Sequence, residues 1–245
     1  MRNATILLLM MVVPLERGLA QQIRDQVPPV IVVSGNAQIE ADPDEATVWL
    51  GVVRQESSAQ AAQEQANRAA QAVLAEMTKL GIRPQRVQTS RLTLSPVYAP
   101  PRPEAREAPR IASYSASNMV SVELENLAQV GPVIDAGLRA GANQLEGVQF
   151  RVKNDLPVRQ QALKQAVAEA HAKAESMAEA LGVRLNGVQE ASESGTSVAP
   201  KYQSGGLAML AVRDGTPTPV SPGQLEVTAT VTVKYFITSR TAAPK

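Results

Sequence analysis

Cysteine is absent from this 245-residue chain, histidine occurs once and phenylalanine twice. Without cysteine there is no disulfide, no thiolate zinc site, no Cys-ligated iron–sulfur cluster and no thiol nucleophile. The single histidine, His171, rules out a multi-histidine metal centre, and any Ser-His-Asp catalysis would rest on that residue alone. Aromatic residues make up 3% of the chain, so stacking platforms for bases or sugars are few. Twenty-four basic residues against 23 acidic ones give a formal charge of +1, without the basic surplus of a nucleic-acid binder. Apolar residues, at 44%, suffice for one large or two small cores.

The only membrane-like stretch stands at the start. A short basic opening (Arg2) is followed by apolar Ile6 to Leu15, and the segment ends on Gly18-Leu19-Ala20. This reads as a secretory signal peptide cut near Ala20, since ten residues cannot span a bilayer. Its removal would leave a formally neutral chain expected in the periplasm, with no disulfide to support it.

The periodicities predict an α+β protein. One amphipathic helix is expected from Ser58 to Leu80, with Ala62, Ala66, Ala69, Val73, Met77 and Leu80 on one face, Ser57 and Gln60 as a capping pair, and Gly81 as its stop. A second runs from Leu156 to Leu181 with a stripe of Leu163, Val167, Ala170, Ala174, Met177 and Leu181, capped by Asp155 and ended by Gly182. A shorter one near Leu127 to Ala140 should start late or bend because of Pro132 and Gly137. Alternation predicts strands over 30–34, 46–53, 87–98, 113–124, 146–152, 183–193 and 225–236.

The two long helices end alike, as Leu80-Gly81-Ile82-Arg83 and Leu181-Gly182-Val183-Arg184, 101 residues apart. This echo suggests two β-α-β-β units with mostly antiparallel sheets and the helices on one face. The expected division is a leader over 1–20, units over 28–125 and 146–238 joined by a helix over 126–145, and a tail over 239–245. Two long loops stand out, from Ala99 to Arg110 and from Thr196 to Pro222, the second with an apolar run from Leu207 to Val212.

Side chains able to do chemistry are sparse. His171 lies beside the second helix's stripe with Glu175 as its one near partner in sequence, and reads as a half-exposed helix histidine. Asp42, Asp44 and Glu45 cluster around Pro43, which favours a turn entering a strand over an acid–base or metal site. Ser34-Gly35-Asn36 lacks the further glycines of a phosphate loop. No catalytic, cofactor or metal residue is expected. The candidate partner or ligand contacts are Tyr98, Tyr114 and Asn118 on strands, and Leu207, Met209 and Leu210 in the apolar loop.

One set of motifs is ordered in a familiar way. It comprises Val33-Ser34-Gly35, Pro43-Asp44, Gly51-Val52, Gly81-Ile82, Gln88-Thr89, Pro96-x-Tyr98, Tyr114-x-Ala116-Ser117-Asn118, Gly131 with Asp135, Gly141-Ala142-Asn143, Gly147-Val148-Gln149-Phe150 and Pro222-Gly223. In this order the chain resembles the SIMPL-domain family (domain of unknown function 541), which takes in YggE-like and periplasmic immunogenic protein-like exported proteins. The likeness covers about residues 30 to 238. It departs where members often carry Gly-x-Gly, since Asn36-Ala37 follow Gly35 here. The resemblance implies no catalytic residues. It implies a periplasmic or outer-membrane-associated protein linked to stress tolerance, with large homo-oligomers among its members. The expectation is a non-enzymatic, self-assembling periplasmic protein without cofactor or nucleic-acid partner, with an envelope association in view. A binding module for a small molecule, peptide or envelope component is the second expectation. A hydrolase using His171 or Asp42 to Glu45 is the third.

Overall fold

Seven strands and three helices follow from these patterns in a computed structural model that describes residues 28–100, 108–201 and 218–239. The expected leader and the Leu207 to Val212 run lie outside the described residues. The order is β1 (Val30–Ala41), β2 (Glu45–Glu56), α1 (Ala59–Lys79), β3 (Val87–Tyr98), β4 (Ile111–Leu124), α2 (Val130–Arg139), β5 (Gln144–Arg151), α3 (Leu156–Ala180), β6 (Val183–Pro200) and β7 (Leu225–Ser239). The fold is α+β, and the strand pairs are antiparallel.

The two sheets do not follow contiguous stretches of chain. One has the order β3-β4-β2-β5 and the other β1-β7-β6. The spans 28–125 and 146–238 therefore exchange strands: β1 joins the later sheet and β5 the earlier one. The internal echo explains the exchange. The trio β3-β4-β2 has the same order as β6-β7-β1, with β1 holding in its sheet the place that β2 holds in the other. Both long helices also stop on a left-handed glycine, Gly81 at φ 78° and Gly182 at φ 68°.

Helix α1 starts one residue later than its sequence suggests. Ser58 has the extended backbone of a cap, and its hydroxyl accepts the Ala61 N–H at 3.2 Å. Gln60 bonds Glu64 instead. Ala62, Ala66, Ala70, Val73 and Met77 are buried. Helix α2 follows a 3₁₀ turn, Leu127–Gln129, so Pro132 falls in its first turn, where no N–H is needed. Asp155 precedes α3 but makes no cap bond, because its carboxylate binds Arg159 at 2.7 Å.

Of the stripe expected on α3, Leu163, Ala170 and Ala174 pack on the sheet, and Val167, Met177 and Leu181 do not. Ala162, Ala166, Ala170, Ala174 and Ala178 face the sheet, while Val167, Met177 and Leu181 are 44%, 43% and 63% exposed. Proximity decides this. A Cβ on Gly35 would lie 2.0 Å from the Ala166 carbonyl oxygen and 2.6 Å from the Ala170 nitrogen. Only a column of alanines lets a helix lie so near a strand.

Each sheet has its own core. Val48, Leu50, Val52, Val120, Val122 and Leu124 pack on α1 and α2 through Val73, Met77, Val130, Val133 and Ile134. Ile31, Val33, Val227, Val231, Val233 and Tyr235 pack on the alanine column of α3. The first sheet thus has two helices and four strands, and the second has one helix and three.

Candidate functional site

Of the carboxylates singled out around the start of β2, Glu45 falls into a network of ion pairs where the two sheets meet. Glu45, only 2% exposed, accepts from Arg86 Nη1 at 2.7 Å and from Arg151 Nε at 2.8 Å. Arg151 also reaches Glu123 at 3.3 Å. Glu125 takes Arg86 and Lys153, which hold its carboxyl below the usual range, the Lys153 bond foremost. The Glu45 bond in turn raises Arg86 above its ordinary value. Asp44 accepts the Lys153 N–H at 2.6 Å, and Asp42 accepts from Gln224 at 3.3 Å. The cleft above this network is about 560 Å³ and is closed on its far side by Asp155, Arg159, Val198 and Leu225. The ion pairs of Glu45, Glu123 and Glu125 fasten the strands and the turn before β3 together. Among the described residues no group of three or more His, Asp or Glu is arranged to hold a metal.

The strand candidates separate. Ala116 and Asn118 lie buried, with Ala116 against Ala62 and Ala66 of α1 and half-buried Tyr114 beside them. The Asn118 Oδ1 is enclosed without a hydrogen-bond partner among the described residues. Tyr98 ends β3 at 54% exposure, in line with exposed Leu92, Leu94 and Ile111 on the β3–β4 hairpin. Leu207, Met209 and Leu210 lie outside the described residues.

His171 is half-exposed on α3. It faces Glu175 at 3.3 Å, and its ring lies 5.7 Å from that of Tyr235. It borders a groove of about 960 Å³ between α3 and β6, lined also by Val167, Leu185 and Val188. The groove forms because α3 packs more closely on β1 and β7 than on β6.

Gly131 and Asp135, one turn apart on α2, act together on the chain that returns from the second long loop. The Thr218 carbonyl oxygen lies 2.4 Å from where a Gly131 Cβ would stand. Asp135 accepts the Thr218 hydroxyl at 2.6 Å and its N–H at 3.2 Å. The hydroxyl bond, ahead of the N–H bond, holds the Asp135 carboxyl below the ordinary carboxylate value. A lowered folded value contributes stability that is present above the ordinary range and lost as pH falls through the folded value. Asp135→Asn should therefore cost about 1 kcal/mol at neutral pH, and the loss should vanish in acid. Urea unfolding at pH 7 and pH 3 measures both.

Sequence patterns alone missed the basic half of the ion network. Arg86 and Arg151 are distant in sequence from Glu45 and meet it only through strand pairing. The one available signal was a carboxylate heading an otherwise apolar strand, since a buried charge must find a partner.

Comparison with known proteins places these motifs in a family. The model described as SIMPL, "Protein of unknown function (DUF541)", matches residues 31–235. This chain belongs to the SIMPL family. It is 34% identical over 215 residues to the 26 kDa periplasmic immunogenic protein of Brucella melitensis, spanning 86% of this chain and 85% of the relative. The same figures hold for the protein of that name from Brucella abortus. The uncharacterized protein YggE of Edwardsiella ictaluri is 27% identical over 160 residues, 65% of this chain and 66% of the relative. The SIMPL motifs read in the sequence have physical counterparts here: Gly35 under α3, Gly81 at a left-handed helix end, and Gly131 with Asp135 under Thr218. At the departure, Ala37 is half-buried and packs on the α3 cluster.

Proposed function

We propose that this SIMPL protein is exported to the periplasm through a leader cut near Ala20, and works without catalysis as a self-associating protein that supports the envelope under stress. The relatives' names carry the periplasmic location. The observation that supports self-association is the apolar surface exposed among the described residues: Val167, Met177 and Leu181 on α3 and Leu92, Leu94, Tyr98 and Ile111 on the hairpin. Exposed apolar groups gathered in patches favour association. The engaged state of Asp42, Asp44 and Glu45 supports the non-enzymatic part. Among the described residues no helix is long and apolar enough to cross a membrane.

Charge placed on these patches tests the reading. Val167→Glu with Leu181→Glu, or Leu92→Glu with Leu94→Glu, should lower the mass seen by size-exclusion light scattering while shifting Tm by less than about 3 °C. An unchanged mass in both double variants would contradict the role given to these surfaces.

The groove between α3 and β6 favours a second reading, a binding module for a small apolar ligand or peptide. Its lining by Val167, Val188 and Leu185, with His171 and Glu175 at the rim, suits such a ligand. Under this reading Val188→Trp would fill the groove and abolish binding without altering the oligomeric state.

A further inference from the structure

The two sheets share an order but not a width. In the first, β2 is paired on both sides, by β4 and by β5. In the second, β1 takes the place of β2 and, among the described residues, is paired only by β7. The register with β7, including the Ile237 N–H donated to the Pro29 carbonyl, turns the backbone groups of odd-numbered β1 residues towards β7. Those of Val30, Val32, Ser34, Asn36, Gln38 and Glu40 point away, along a twelve-residue edge that no other strand among the described residues pairs.

Two of these outward groups are met by side chains of α3. Glu169 accepts the Asn36 N–H, and Lys173 donates to the Ser34 carbonyl at 3.0 Å. The two side chains also pair with each other at 2.9 Å. Beside them a groove of about 590 Å³ exposes Val32 and Met177, at 49% and 43%.

We propose that this edge receives the same edge of a second copy, with a two-fold axis at Gly35. The proposal rests on the self-association reading and names its contact. With the axis at Gly35, Ser34 of one copy lies opposite Asn36 of the other, and the pair exchanges N–H···O bonds through the very groups that Lys173 and Glu169 now cover. The displaced side chains are complementary across the axis, since Glu169 of each copy then meets Lys173 of the other. Centring the axis on Ser34 would set lysine against lysine. The arrangement fills the place that β5 fills in the other sheet. With α3 above β1 and β7, the two copies of α3 would lie two strand spacings apart, about 10 Å, within reach of helix packing. Ala172 and Ser176 are the small residues on that side.

The cysteine-free chain makes the test clean. S34C and N36C variants of residues 21–245 are prepared separately, each shown to fold by circular dichroism, then oxidised alone and as a mixture. Opposed residues lie about 5.5 Å apart between Cα atoms, inside the disulfide range, whereas Ser34 to Ser34 would be about 8 Å, outside it. The mixture should give a covalent dimer on non-reducing gels, and neither variant alone should. Cross-linking by S34C alone would overturn the register. An unmodified protein that assembles by native mass, with no cross-link in the mixture, would overturn this contact and leave self-association standing. A monomeric unmodified protein would remove both.

Discussion

Gly35→Val should destabilise the protein by about 3 kcal/mol, the upper end of what overpacking costs, lowering Tm by roughly 10 °C. The reason lies in which atoms a side chain would meet. The first Cβ would stand 2.0 Å from the Ala166 carbonyl oxygen, 2.6 Å from the Ala170 nitrogen and 2.8 Å from the Ala170 Cβ. Two of these are backbone atoms of a 25-residue helix, so no rotamer change relieves them. Helix α3 must lift from β1, which opens the alanine column and withdraws Glu169 and Lys173 from the strand edge. Hydrogen exchange should show lost protection in β1 and α3 with β2 and β4 unchanged. Gly81→Ala is the contrast. Nothing lies within 4 Å of its Cβ and only the left-handed backbone is strained, so about 1 kcal/mol is expected.

Glu45→Ala should cost about 3 kcal/mol, the lower end for breaking a buried ion pair. The half-exposure of Arg151, at 47% of its side chain, keeps the figure at that end. Truncation leaves Arg86, 16% exposed, with Glu125 on Nη2 but without its 2.7 Å partner on Nη1, where Glu123 at 3.8 Å is too distant to replace it. Asp42→Ala should stay within about 0.5 kcal/mol, as surface changes do, since Asp42 is exposed and among the described residues holds only Gln224. Paired urea denaturation curves separate the two. Equal effects at both positions would contradict the structural role given to Glu45.

What could be read from sequence followed local rules. The strand β3 and the ends of α1 and α3 were legible because alternation, three-and-four spacing and a terminal glycine each act within a few residues. The face of α3 was legible at Leu163, Ala170 and Ala174 but not elsewhere, because counting large apolar residues favoured Val167, Met177 and Leu181. The contact that decides it involves Gly35, more than 120 positions earlier. The exchange of β1 and β5 between sheets was equally hidden. Both strands fit a β-α-β-β pattern by order, and which sheet completes each is settled by pairing across the whole chain. The signals for the candidate site were local carboxylates, while the arginines that satisfy them come from the turn before β3 and the end of β5.

The native mass of residues 21–245 tests the central claim most directly. Across micromolar concentrations, native mass spectrometry should show a species at an even multiple of the subunit mass, as two-fold edge pairing requires. A single monomer peak over that range would contradict self-association and return the uncovered faces of α3 and the hairpin to partners of another kind.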